Sequence, residues 1–117
     1  MNKFTALDIS LYIPCYNAGA TIDRCIEGVF AQTVMPSKII LVDDGSSQPL
    51  AIDKRFLKDV EILVQPSNMG LSAARNRALS SIKTPLAAAL DSDVVPSPRW
   101  LEILLEAMNS FDIAGAG

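Results

Sequence analysis

The sequence contains no histidine, and this absence removes several kinds of catalytic and metal site together. Ser-His-Asp triads, Cys-His dyads and most zinc sites need an imidazole. The two cysteines, Cys15 and Cys25, are too few for a disulfide framework. Cys25 falls on the apolar stripe of a predicted helix, so we expect it to be a buried free thiol.

Clusters of basic residues and long apolar runs are also missing. The 10 lysines and arginines are scattered over 117 residues and the net charge is −3. A broad nucleic-acid surface is therefore not expected, because phosphates are neutralised by clustered Lys and Arg. No apolar segment is long enough to span a bilayer, and the N-terminal stretch MNKFTALDIS lacks the apolar core of a signal peptide. We expect a cytoplasmic protein.

What the chain does have is an alternation of strand-like and helix-like patterns in a globular composition, half hydrophobic and a fifth charged. Strands are predicted over residues 8–14, 38–42, 60–64 and 86–90. Helices are predicted over residues 22–30 and 71–82, over 98–108 with Ser97 as N-cap and Pro98 in the first turn, and more weakly over 52–57. This order predicts an α/β fold in three layers, with a mostly parallel sheet covered by helices on both faces. Residues 112–117 look like the start of another strand, so we expect the chain to be the front part of a longer protein.

Polar residues follow the predicted strands in the segments PCYNAG, DDGSS, QPSNMG and DSD. In parallel sheets ligands gather at the carboxyl ends of the strands, so these segments predict one composite site. In the last segment, Asp91 and Asp93 stand two residues apart. On extended chain they would point the same way and could share Mg²⁺ or Mn²⁺. The alternative is a simple acidic turn that ends the strand.

The other candidate residues also have a functional and a structural interpretation. Asp43 or Asp44 could accept hydrogen bonds from a base or ribose, or both could belong to a turn. Tyr16, before Asn17, could stack on a base or pack half-buried at the rim. Arg75 falls on the apolar stripe of its predicted helix, which suggests an acidic partner such as Asp44, a ligand phosphate, or a structural role.

Four segments in register, IPCYNAG, LVDDGSS, NMGLSAARNRAL and LDSDVVPSPRWLE, resemble the N-terminal half of a family 2 glycosyltransferase with the GT-A fold. The resemblance implies a Rossmann-like nucleotide-binding half-domain over 1–117. It also implies transfer of a sugar, with inversion, from a nucleotide-diphosphate donor to an acceptor hydroxyl. A UDP-sugar is favoured as donor over GDP- or dTDP-sugars, and a glycan, a lipid or another hydroxyl compound is the acceptor.

The resemblance also implies a role for each matching residue. Asp91 and Asp93 match the D-x-D motif, in which the second acid binds the divalent ion, Mg²⁺ or Mn²⁺, and the first contacts the ribose or the ion's water shell. The remaining residues would bind the nucleotide or support that binding: Pro14, Tyr16 and Asn17 flanking base and ribose, Asp44 binding the base or ribose, Asp43 holding its loop, and Arg75 near the nucleotide. The general base of this family lies in the second half of the domain. We therefore expect it after Gly117, and expect residues 1–117 to be inactive alone.

Three other functions share parts of this pattern. A receiver domain would place its acidic pair after the first strand, and here the acids follow the second and fourth. A nucleotidyltransferase would carry a Gly- and Lys-rich loop after the first strand, which PCYNAGA is not. A relative that binds nucleotide without catalysis stays open, as does membrane association at the cytoplasmic face through segments outside this chain.

Overall fold

In the computed structural model, the residues described are 3–110, and they form a four-stranded sheet with three α-helices. The strands are β1 Ile9–Cys15, β2 Lys38–Asp43, β3 Glu61–Val64 and β4 Leu86–Ala89. The α-helices are α1 Ile22–Phe30, α2 Leu71–Ser81 and α3 Trp100–Ser110. Short 3₁₀ turns cover Ala6–Asp8 and Lys54–Phe56. Among the described residues, no helix is both long and apolar enough to cross a membrane.

The sheet has the order β3-β2-β1-β4, and every pair of neighbours is parallel. The chain builds outward from β1 through β2 to β3, then returns to the other side of β1 for β4. The sheet order therefore reverses between β1 and β4, and a crevice opens at such a switch point beyond the carboxyl ends of the strands. The predicted fold class is confirmed.

The two faces of β1 are buried against different helices. Leu11 and Ile13 belong to a core cluster with residues of α1, whereas Tyr12 belongs to a second cluster with Ala74 and Ala78 of α2. Neighbouring residues of a strand point to opposite faces, so α1 and α2 cover opposite sides of the sheet. A central strand covered on both faces needs a continuous apolar run, which explains why β1 and β2 could be recognised from composition.

Two predicted helices differ from those observed. The weak helix over 52–57 is a single 3₁₀ turn, Lys54–Phe56, in which the Asp53 carboxylate accepts from the Arg55 N–H at 3.0 Å. The third helix begins at Trp100, and neither Ser97 nor Pro98 lies in its first turn. The strand suggested for 112–117 lies outside the described residues.

Gly45, in the loop after β2, has a backbone that only glycine fits. Its φ is +67°, and a Cβ built there would stand 2.7 Å from the Cα of Ser67, with other backbone atoms of the 67–68 loop closer still. Gly70 also has a positive φ, +96°, but space for a Cβ is open there. The loops after β2 and β3 therefore touch at Gly45, backbone against backbone.

Both cysteines are free and buried, as predicted for Cys25. Burial is the main cause that raises the pKa of Cys15 to about 12, helped by Cys25 and Asp43. Burial likewise raises the pKa of Cys25 to about 11, with further contributions from the carboxylates of Asp93 and Asp91. Both groups are therefore neutral thiols near neutral pH.

Alanine substitutions at three glycines should separate strain from steric clash. Gly19→Ala should leave stability nearly unchanged, because Gly19 has open space and no positive φ. Gly70→Ala should cost about 1–3 kcal/mol from backbone strain alone. Gly45→Ala should cost more than Gly70→Ala, because the loop at Ser67 must also move. Urea unfolding measures all three, and equal losses for Gly45→Ala and Gly70→Ala would contradict the close approach.

The thiols should resist alkylation in the folded protein at pH 8, and both should react after unfolding in urea. The folded pKa values lie above the ordinary 9.0, so the unfolded chain loses these protons first as pH rises. The free energy of unfolding should therefore fall progressively above about pH 9, and Cys25→Ala should lessen that fall. Rapid alkylation of the native protein at pH 8 would refute the burial of these groups.

Candidate functional site

The residues after β1 stand at the switch point of the sheet. Pro14 is half-buried within β1, opposite Val42 of β2. Tyr16 is 51% exposed, so its ring is accessible and is neither buried nor fully free of the protein. Asn17 has a φ of +51°, a left-handed conformation that asparagine tolerates better than most residues. The chain turns sharply at Asn17 and leaves the Tyr16 ring at the rim.

Asn17 also joins the loop after β1 to the loop after β2. Its backbone N–H donates to the Ser46 hydroxyl at 3.0 Å, and its side-chain Oδ1 accepts from the Ser47 N–H at 2.9 Å. The two loops are thus connected by a pair of hydrogen bonds. Sequence reasoning assigned Asn17 to the nucleotide and did not anticipate this bridge.

Asp43 organises the loop after β2 from inside. Its side chain is 3% exposed, and its carboxylate accepts from the N–H and hydroxyl of Ser46 and from the N–H of Leu50. A buried carboxylate costs free energy unless hydrogen bonds satisfy it, and three bonds do so here. Asp43 therefore fixes the course of the 45–50 loop.

Asp44 does the same for the loop that leads into α2. It is 4% exposed, and its two oxygens accept from the N–H of Met69 at 3.0 Å and of Gly70 at 2.9 Å. Both carboxylates after β2 thus hold backbone. The expectation that one of them points freely into the cleft is wrong, although a carboxylate retains further lone pairs after two bonds. Contact of Asp44 with a base or ribose stays a prediction.

Asp91 and Asp93 lie in a reverse turn, and the extended backbone on which their convergence was predicted is not there. Strand β4 ends at Ala89, and the N–H of Val94 donates to the carbonyl of Asp91 at 3.2 Å. The prediction that strand alternation aims both carboxylates the same way is therefore wrong. Their position beside β1 is as expected, since the N–H of Leu90 still donates to the carbonyl of Tyr12.

The donor set of this turn is suited to a hard cation. Asp91 and Asp93 are both exposed, and neither carboxylate forms a hydrogen bond or ion pair within residues 3–110. No group of three or more acidic, Cys or His side chains that could hold a metal occurs in the same residues. Mg²⁺ commonly uses one or two carboxylates and completes its shell with water and phosphate oxygens, so two free acids fit this ion.

Arg75 is not where the apolar stripe predicted it. The buried residues of α2 are Ala74 and Ala78, and Arg75 is exposed, as are Leu71 and Leu79. No hydrogen bond or ion pair joins Arg75 to Asp44 or to any other residue of the described part of the chain. The prediction of a core-facing arginine is wrong, because the two leucines that widened the stripe do not face the core. A role near the nucleotide stays a prediction.

Gln32 is a residue that sequence reasoning missed. It is 8% exposed, and all three of its available bonds are made: Nε2 donates to the carbonyls of Gly28 and Ser97, and Oε1 accepts from the N–H of Leu101. It supplies the side-chain cap at the start of α3 that Ser97 was expected to supply. Its only signal in the sequence is that it continues the buried stripe of α1 past the helix end.

A sequence model described as glycosyl transferase family 2 matches residues 10–116. The pre-mycofactocin glycosyltransferase of Mycobacterium tuberculosis is 37% identical over 101 residues, which are 84% of this chain and 20% of the relative. Glycosyltransferase AglE of Haloferax volcanii is 34% identical over 100 residues, 80% of this chain and 33% of the relative. The chain therefore spans a third or less of these two relatives.

Solved structures share the fold at low sequence identity. S. aureus TarS 1–349 in complex with UDP superposes with a TM-score of 0.74 at 18% identity, covering 93% of this chain and 37% of that one. Glucosyl-3-phosphoglycerate synthase of Mycobacterium tuberculosis, in complex with Mn²⁺, UDP-glucose and phosphoglyceric acid, has a TM-score of 0.70 at 21% identity, covering 87% and 39%. These likenesses agree with the GT-A architecture. Because the family model matches nearly the whole chain, the chain belongs to glycosyltransferase family 2.

Proposed function

We propose that this chain forms the donor site of an inverting glycosyltransferase that uses a nucleotide-diphosphate sugar. The observation that carries the proposal is the pair of exposed carboxylates, Asp91 and Asp93, at the switch point beside β1, without partners in residues 3–110. Family membership supports the reaction class. The UDP in TarS and the UDP-glucose with Mn²⁺ in glucosyl-3-phosphoglycerate synthase support a UDP-sugar and a divalent ion here.

The proposed division of labour follows burial. The exposed groups meet the ligand: Tyr16 stacks on the base, and Asp93, with Asp91, holds Mg²⁺ or Mn²⁺. The buried acids Asp43 and Asp44 keep the neighbouring loops in place, and Asp44 offers its remaining lone pairs to the base or ribose. Arg75, exposed on the second turn of α2, is assigned to the phosphates, where its guanidinium makes charge-assisted hydrogen bonds.

The chemistry proposed for the chain is electrostatic. A departing nucleoside diphosphate gathers negative charge, and a bound divalent ion neutralises it. The protein's own residues do not react: they bind the nucleotide and orient it. The acceptor hydroxyl must also lose a proton to a general base. We assign that base, together with the acceptor site, to sequence beyond Gly117.

Nucleotide binding that depends on metal provides the main test, made on the protein as encoded. UDP should bind more tightly with Mn²⁺ than without it, measured by titration calorimetry, and UDP should bind better than GDP or dTDP. Asp93→Asn should remove at least about tenfold of the tightening, because a metal ligand is lost. The matched control is Asp59→Asn, an exposed acid before β3, which should change nothing.

Failure of this test has a clear form. The donor-site proposal falls if Mn²⁺ does not tighten UDP binding, or if Asp93→Asn behaves like Asp59→Asn. Tight, metal-dependent binding without any sugar transfer by the encoded protein would instead identify a binding module.

Substitution of Tyr16 tests the stacking role separately from the metal. Tyr16→Ala should weaken UDP binding in the absence of metal by about tenfold, since stacking on an aromatic ring is worth about 1–3 kcal/mol per base. Tyr16→Phe keeps the ring and should bind like the unsubstituted protein. Neither change should alter thermal stability much, because half of the side chain is exposed. Equal binding by the Ala and Phe variants would remove Tyr16 from the site.

A further inference from the structure

One side of α1 follows the segment that carries the acidic pair along its whole length. We call residues 91–98 the acidic segment. Cys25, Gly28 and Gln32, spaced three and four residues apart, fall on one helical face. Each of them contacts the acidic segment at a different point.

The first contact is at the start of the segment. The Cys25 thiol donates to the backbone carbonyl of Asp91 at 3.5 Å. Thiols are weak donors, so this bond mainly records how close α1 lies to the first acid. The pKa of Cys25 points to the same proximity, because the carboxylates of Asp93 and Asp91 contribute to raising it.

The second contact needs a glycine for its size. A Cβ on Gly28 would lie 2.7 Å from the Cδ of Pro96 and 3.2 Å from the Cγ1 of Val95. Even alanine at this position would push the middle of the acidic segment away from the helix. The close approach is therefore built into α1 by one missing side chain.

The third contact fastens the end of the segment. The Gln32 amide donates to the carbonyl of Ser97 at 2.7 Å, and its oxygen caps α3 at Leu101. The neighbouring Thr33 N–H donates to the carbonyl of Pro98 at 2.9 Å. Both ends of the acidic segment are thus tied to α1, and β4 before it has only one strand neighbour, β1.

We propose that Gly28 and Gln32 are positioning residues that set the place of Asp91 and Asp93 by holding the acidic segment against α1. Two carboxylates on a turn bind an ion well only if the turn is held, because ordering it on binding would subtract from affinity. This inference rests on the proposed donor site and adds to it residues that touch neither nucleotide nor ion.

The test measures the ratio of UDP dissociation constants without and with Mn²⁺, by calorimetry on the protein as encoded. Gly28→Ala and Gln32→Leu should each lower this ratio by about tenfold, as is typical when residues supporting a metal ligand are changed. UDP binding without metal should stay nearly the same. The control is Ile40→Ala, a cavity in the other core cluster, which destabilises the fold without touching the acidic segment. Circular dichroism confirms folding of each variant at the temperature used.

The outcomes separate this inference from the proposed function. If the unsubstituted protein shows tightening by Mn²⁺ and the Gly28 and Gln32 variants keep it, the positioning role is wrong and the donor site stands. If Ile40→Ala lowers the ratio as much as they do, the effect is one of stability alone and the inference is overturned. If Mn²⁺ does not tighten binding in the unsubstituted protein, both proposals fail. Should Gln32→Leu not fold, Gly28→Ala alone decides between these outcomes.

Discussion

The parallel pairing of β1 with β2 on one side and β4 on the other is the constraint on which the rest of the structure depends. A buried central strand must satisfy its backbone through both neighbours, and parallel neighbours end at the same edge. Every loop after a strand therefore opens toward one region. The reversal of strand order at β1 leaves Tyr16 and the acids after β4 beside each other in the topology. The position of the candidate site is a consequence of backbone hydrogen bonding before any side chain is considered.

The acidic residues at that edge fall into two kinds that the sequence does not distinguish. Asp43 and Asp44 are buried and satisfied by backbone N–H groups, while Asp91 and Asp93 are exposed and without partners in the described residues. A buried carboxylate bonded to N–H donors is a structural anchor whose charge is already used. An exposed carboxylate on a turn keeps its charge for an ion. The division between holding and binding groups thus follows from solvent access, with identical side chains in both roles.

Most of the fold could be predicted from the sequence, because its core elements carry strong periodic signals. The continuous apolar runs of β1 and β2 and the stripe of α1 left little choice of element or face. The errors fall where a long-range contact decides. Arg75 was placed inward because Leu71 and Leu79 seemed to widen a stripe that only Ala74 and Ala78 occupy. The start of α3 is set by Gln32, a residue 69 positions away from the N–H it caps, which local capping rules cannot find. The turn at Asp91 was hidden because an apolar run does not indicate where its pairing ends.

The bridge between Asn17 and Ser46–Ser47 has a consequence for recognition. Two loops that hydrogen-bond to each other through backbone and side chain lose their relative freedom when the protein folds. A flat ligand arriving at the Tyr16 ring would meet a wall already assembled, and little conformational entropy would remain to be lost on contact. Asparagine is suited to that junction because its short amide tolerates the left-handed backbone and still reaches across. The selectivity of such a wall lies in its shape, which exists before the ligand does.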